Sequence, residues 1–276
     1  MKYLLLLLTN LVISQGIHFE NTLEETFAKA SKNNKAVFIY YFNEDCSVCK
    51  KTQKLFEEPE LYAYYNAHFI SYKINTRIDL SKYDKEFIDK TGFKFESVPF
   101  LLFFDAKGGY LHHSGTRSSV AEIKEIGRIA RNPELRNASL EGKYTSGDRS
   151  IKTLYAYADL LRLKNDFVKL KKVTSDLFQV YPKNDLASSK SYIILKNVIV
   201  DIENGFFVFW MNHLDKISGL DNGIRKGSEK LVLEEILLRQ LSGKEHLNWT
   251  ETKKNEVKQM ILKLGITDKP DVYFEN

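Results

Sequence analysis

Apolar and polar positions change their period several times along the chain, and each change marks an element. Phe19, Leu23, Phe27 and Ala28 recur at helical spacing over 19–34, and Asn33-Asn34 ends the run. Residues 36–42 (AVFIYYF) are continuously β-branched and aromatic, the pattern of a strand covered on both faces. A helix is expected from the paired cysteines through Leu55 and Phe56 to Pro59, and another from Glu60 with Leu61 and Tyr65 inside. Residues 69–74 read as a second buried strand. A helix over 79–90 carries Leu80, Tyr83, Phe87 and Ile88 on one face, and Gly92 stops it. Pro99 precedes a strand at 100–104, Lys107-Gly108-Gly109 forms a hairpin turn, and 110–113 is the return strand. A serine pair starts a helix over 118–131 that ends near Asn132-Pro133. The order α, β, α, β, α, β, β, α implies a mixed α/β sheet with helices on both faces. Strands separated by helices are expected to pair parallel, with an antiparallel edge from the hairpin.

After this the pattern changes. Residues 137–147 (NASLEGKYTSG) are polar and read as a linker, and no convincing strand follows. Leu154, Tyr157, Ala158 and Leu161 share one helix face, and Phe167, Leu170, Val173, Leu177 and Val180 line the next. With Pro182 closing it, this pair resembles a single tetratricopeptide-like unit. Further helices are expected over 186–201, 204–218, 228–242 and 250–264. The division is therefore 1–16, 17–136, 137–147 as linker, and 148–276 all-helical. The helical part fits a solenoid-like stack or an irregular bundle equally.

Residues 1–16 read as a signal peptide. Met1-Lys2 is a basic start, Tyr3 to Ile13 is apolar apart from Thr9 and Asn10, and Ser14-Gln15-Gly16 suits a cut before Ile17. The apolar run is too short for a membrane span, which needs roughly 20 residues. Within 198–210, the nearest later candidate, Asp201, Glu203 and Asn204 interrupt the apolar run. No stable span is expected after cleavage, and the product should be periplasmic or secreted. The Lys-, Asn- and Ile-rich composition suggests a bacterium, in which the acceptor-like Asn137-Ala138-Ser139 and Asn248-Trp249-Thr250 have no role. The net charge of +5 is spread along the chain without a basic stripe, which argues against nucleic-acid binding.

There are two cysteines, three positions apart. A bridge between them closes almost no loop, so chain entropy gives it little structural value. Cys46-Ser47-Val48-Cys49 lies where a buried strand turns into a helix, and a C-x-x-C so placed reads as a redox dithiol. The helix start, with free N–H groups and partial positive charge, favours a thiolate at Cys46 and makes it the attacking sulfur. Cys49, one turn further in, resolves the mixed disulfide. Zinc would need more ligands than this pair supplies, haem attachment would need His where Lys50 stands, and no cofactor is expected.

The segment CSVCK and the later Ser97-Val98-Pro99-Phe100 resemble the thioredoxin-like family over roughly 20–135. The resemblance implies that Pro99 is cis and sits opposite the dithiol, and that the backbone of Val98 pairs with a substrate peptide. Lys73 and Asn75 in SYKIN resemble the family's strand around a buried lysine. Three positions depart from the pattern. Asp45 replaces Trp before the first cysteine, Val48 replaces Pro between the cysteines, and Tyr40 stands where the family has a buried Asp, so that base is missing. Glu44 and Asp45 set negative charge against a thiolate at Cys46, and Lys50 partly offsets it. The pattern resembles exported members, including soluble domains that receive electrons from membrane transporters, more than it resembles cytosolic thioredoxin.

Two histidines, His112 and His113, are expected at the surface, because neighbours on a strand face opposite ways and cannot chelate together. Phe206, Phe207, Phe209 and Trp210 are expected as helix-packing core. The leading reading is an exported thiol–disulfide oxidoreductase acting on protein thiols or disulfides, taken as a reductase, with a membrane electron-transfer partner and a helical part that selects partners. The alternative is an adaptor that uses the same fold as a scaffold.

Overall fold

The computed structural model describes residues 16–95, 97–220 and 229–274 of the chain. Of the expected signal segment, 1–15 lie outside the described residues. The chain divides into two compact units, 1–139 and 140–276.

In the first unit the apolar run expected as a strand is β1 (Ala36–Phe42). It lies in a four-stranded sheet with β2 (Phe69–Asn75), β3 (Phe100–Phe104) and β4 (Tyr110–Gly115), in the order β2-β1-β3-β4. β1 and β2 are parallel, with Tyr40 beside Lys73. β3 runs antiparallel to β1, with Tyr41 beside Phe100, although a helix separates the two in sequence. This corrects the parallel pairing expected there. The chain re-enters the sheet beside the C-terminal end of β1, so Val98 and Pro99 lie at the end where the dithiol loop leaves. The hairpin closes through Asp105, whose Oδ1 accepts from the Lys107 and Gly109 N–H groups at 2.8 Å each, and Gly108 takes the positive φ of +85°.

The helices are α1 (Leu23–Asn33), α2 (Ser47–Leu55), α3 (Pro59–His68), α4 (Lys82–Thr91) and α5 (Val120–Arg131). α1 starts later than the spacing suggests, because the Thr22 side chain accepts from the Glu25 N–H and caps it there. Phe19 is left to bridge Ser71 of β2 as a short parallel addition to the sheet. Successive β1 residues alternate between two layers. Phe38, Tyr40 and Phe42 pack with Cys49, Phe56, Leu61, Tyr65, Phe103 and Ile123. On the other face Phe87 joins Phe104 to Phe27, with ring centroids 4.9 and 5.0 Å apart. Phe38 is the hub of the first layer, its ring 4.8 Å from Tyr65 and 5.2 Å from Phe103. Tyr65 then donates to the Ile123 carbonyl at 2.8 Å and ties α3 to α5.

His112 and His113 are both buried, at 7% and 4% exposure, against the expectation of surface residues. The 3-10 turn Asn137–Ser139 and the ring of Phe93 cover the edge strand. The Asn137 N–H donates to His112 Nδ1 at 3.2 Å, and His113 Nδ1 meets the Tyr110 hydroxyl at 2.6 Å. Alternation along the strand held, but both faces were occupied.

The second unit is helical throughout its described residues: α6 (Leu140–Thr145), α7 (Ile151–Leu163), α8 (Phe167–Val180), α9 (Ser189–Val198), α10 (Gly205–Asn212), α11 (Glu229–Ser242) and α12 (Glu251–Leu264). The stretch 137–147, expected as a linker, thus carries a 3-10 turn and α6. α7 packs on α8 and α9, α10 on α8, α9 and α11, and α11 on α12. Asn204 caps α10, which buries Phe206, Phe207 and Trp210 fully. The Trp210 Nε1–H finds Ser191 Oγ at 3.2 Å, which removes the cost of burying it. Among the described residues no helix is long and apolar enough to cross a membrane.

Candidate active site

β1 ends at Phe42, and the loop that follows is built by Asn43. Its side-chain oxygen accepts from the Asp45 N–H at 2.8 Å, and its carbonyl accepts from the Cys46 N–H at 3.2 Å. This turn delivers Cys46 as the N-cap of α2, with extended backbone. The Cys46 sulfur accepts from the Cys49 N–H at 3.2 Å. Helix starts leave such N–H groups without partners, so a sulfur lone pair there is matched to a donor and to the positive end of the helix. Cys46 is half-buried, whereas Cys49 is fully buried, and both are free thiols. Burial pushes the Cys49 thiol upward, and the neighbouring Cys46 adds to the rise.

The Val98–Pro99 peptide is cis. The Val98 carbonyl lies 4.0 Å from the Cys46 sulfur, and Pro99 is buried behind it. The loop before β3 and the start of α2 therefore meet. The arrangement leaves one sulfur accessible and one withheld, the asymmetry that sequential disulfide exchange uses.

Three modulating residues were expected. Asp45 pairs with Arg77, Nη2 to Oδ2 at 2.8 Å, and both are more than half exposed. Glu44 accepts from Asn75 Nδ2 at 3.1 Å, and Asn75 Oδ1 accepts from the Arg77 N–H at 3.1 Å. The two acidic residues beside Cys46 are thus held by the end of β2, and Arg77 was not singled out by sequence reasoning. Lys50 is exposed on α2, its N–H on the Cys46 carbonyl at 3.1 Å. Lys73 is not brought to the sulfurs. Lys73 is an exposed residue of β2 rather than the buried lysine expected; its ammonium lies over the Phe19 ring, 4.4 Å from the centroid, and desolvation there draws its affinity for protons downward.

Hydroxyl groups complete the surroundings. Tyr40 donates to the Cys49 carbonyl at 3.0 Å from a fully buried position. Thr52, one turn beyond Cys49, donates to the Val48 carbonyl at 3.0 Å and meets Thr116 Oγ1 at 2.6 Å. The signal for Tyr40 was present in its place six residues before Cys46. Thr116 is distant in sequence and carried none.

A four-stranded mixed sheet between helices, a cysteine pair at a helix start and a cis-proline opposite define a thioredoxin-like domain. Residues 23–126 match the family model described as a thioredoxin-like domain, so this part of the chain is one. Solved structures are also similar. A solution structure described as a disulphide-isomerase from Bacteroides thetaiotaomicron is 23% identical, with a TM-score of 0.36, covering 42% of this chain and 93% of that one. A thioredoxin from Thermus thermophilus is 16% identical, with a TM-score of 0.35, covering 43% and 90%. A structure titled DsbH Oxidoreductase is 18% identical, with a TM-score of 0.35, covering 49% and 96%. No curated protein sequence matches the chain.

Proposed function

We propose that the chain is an exported thiol–disulfide oxidoreductase that reduces protein disulfides through Cys46 and Cys49. The observation that carries this reading is the unequal pair: Cys46 half-buried at the start of α2 beside the Val98 carbonyl, and Cys49 wholly buried one turn further in. Cys46 attacks one sulfur of a substrate disulfide, and the other substrate sulfur leaves as a thiolate. Cys49 then displaces the substrate from Cys46 and closes the Cys46–Cys49 bond. Val98 and Pro99 hold the substrate backbone beside the reacting sulfur.

Export rests on the short apolar run after Met1-Lys2, which suits a periplasmic or secreted product. A reductase in such a place needs an electron source, and a membrane electron-transfer partner would supply it. The helical unit selects the partner.

The test is the reduction potential of the pair, by equilibrating the purified protein in graded thiol buffers. A value near about −270 mV supports a reductase, and one near about −120 mV overturns that direction in favour of disulfide formation. If no disulfide forms in any buffer, the redox reading fails and the adaptor reading replaces it.

A further inference from the structure

Residues 16–20 are fastened to the first unit by main-chain bonds before α1 begins. The Ile17 N–H donates to the Phe56 carbonyl at 3.1 Å, and the Glu20 N–H donates to the Ser71 carbonyl at 2.8 Å. Between them, the Asn66 side chain of α3 accepts from the His18 N–H at 2.9 Å and donates to the Gly16 carbonyl at 3.1 Å. Ile17 is 7% exposed and packs in the same core as Phe56, whose ring meets Tyr40 edge-on at 4.9 Å. These residues adjoin the cut expected before Ile17. Both polar atoms of the Gly16–Ile17 amide are bonded inside the folded unit, so a protease meets that bond only before the unit has closed.

Phe56 is the C-cap of α2, at the opposite end from Cys46. Carbonyls at a helix C-terminus carry a partial negative charge and favour a cation. The Ile17 nitrogen lies on this helix end, whereas those of His18 and Glu20 face Asn66 and Ser71. Glu57 follows the cap, and its Cγ stands 3.9 Å from the point where a Gly16 side chain would begin. Its carboxylate is one bond further out on a flexible side chain and can swing to the Ile17 nitrogen.

We propose that cleavage before Ile17 creates a structural cation: the new α-ammonium stays on the Phe56 carbonyl, pairs with Glu57 and holds the far end of the dithiol helix. This rests on the export reading above. A leader-cleaving endopeptidase adds water across the Gly16–Ile17 amide. The C–N bond breaks, the water oxygen leaves with 1–16 as part of the Gly16 carboxylate, and both water protons end on the Ile17 nitrogen. Asn66 keeps its bond to the His18 N–H, and its freed amide turns to water from a half-buried position. The charged groups around the new terminus come from several elements. Glu57 and Lys54 stand at the end of α2, and Lys73 of β2 feels the same Glu57 charge. His18 lies 3.6 Å from Glu20, and Lys35 donates to the Asn66 carbonyl at 2.9 Å.

The test starts from the full chain expressed in a bacterium with its own leader. Intact mass gives the first residue of the recovered protein, and Ile17 is expected. Recovery of the uncut chain alone overturns the export reading and this one with it, whereas a cut at another bond overturns this one alone. On the Ile17 form, acylation of the α-amine by an activated ester is followed against pH and located by peptide mass. Its midpoint should lie about one unit above the free α-amino value of about 7.7–8.0, so labelling at pH 8 should be about tenfold slower than in urea. Glu57→Gln should return the midpoint towards the free value, and Glu57→Asp should keep it raised. Glu57 is exposed, so both variants leave the core untouched. Simple burial of the terminus would slow labelling without raising the midpoint, and a midpoint at or below the free value, or one unmoved in Glu57→Gln, overturns the pairing.

Discussion

His112 gives the first unit a calculable weakness to acid. It is 7% exposed, and burial, with His113 and Arg117 nearby, pulls its imidazole down to about 3. The unfolded chain binds the same proton near 6.5. A depressed folded value means that the unfolded state takes up the proton first. Stability is therefore intact above about pH 6.5, falls as the pH drops below it, and stops falling near pH 3. Between pH 7 and 4.5 the loss from this one group works out at about 2.5 kcal/mol. The perturbation is His112→Asn, whose side-chain oxygen can still accept the Asn137 N–H that His112 Nδ1 accepts at 3.2 Å. The variant loses ring packing, a fixed cost measured at pH 7. It should then lose about 2.5 kcal/mol less than the parent on going to pH 4.5. Both tryptophans, Trp210 and Trp249, lie in the second unit, so the first unit needs a probe of its own. Urea titrations read by the amide resonances of β1, β3 and β4 at the two pH values supply the assay. If parent and variant lose equal stability between them, His112 is not held neutral by burial and the reasoning fails.

Cys49→Ser should accumulate mixed disulfides with substrate proteins, seen as adducts on non-reducing gels, while Cys46→Ser should form none; equal adducts from both would refute the assignment of roles. Phe38→Ala removes the ring that joins Tyr65 and Phe103, and should destabilise the first unit by about 3–5 kcal/mol in urea unfolding. At Gly205 a Cβ would overlap the ring of Phe178, so Gly205→Ala should destabilise the second unit by about 1–3 kcal/mol, read by tryptophan fluorescence.

Much of the architecture was legible in the residues. Runs such as 36–42 and 100–104 are apolar at every position because both faces of the sheet are covered. Helix starts were legible where a Ser, Thr, Asp or Asn stood before a periodic segment, as at Ser119 and Ser150. The dithiol was readable because its chemistry is local. Cys46, Cys49 and the helix start lie within four residues, and the physics that prepares the sulfur depends on the same short stretch of backbone. Phe19 misled the pattern because its helical spacing to Leu23 was real, but pairing with β2 offered its backbone partners that a longer helix could not.

What only the tertiary structure decided is what distant segments bring to one another. The direction of β3, which carries Val98 to Cys46, follows from where the chain re-enters the sheet, and its composition is the same for either direction. Asp45 and Glu44 looked like charge offset only in part, by Lys50, until Arg77 and Asn75 were placed beside them. His112 and His113 looked exposed until the turn at 137 and Phe93 covered them. Thr52 and Thr116, 64 positions apart, show no common pattern, yet their hydroxyls meet at 2.6 Å. Local propensity and periodicity are properties of a few neighbouring residues and survive in one dimension. Burial, charge pairing and hydrogen-bond partners depend on distances that exist only once the chain has closed on itself.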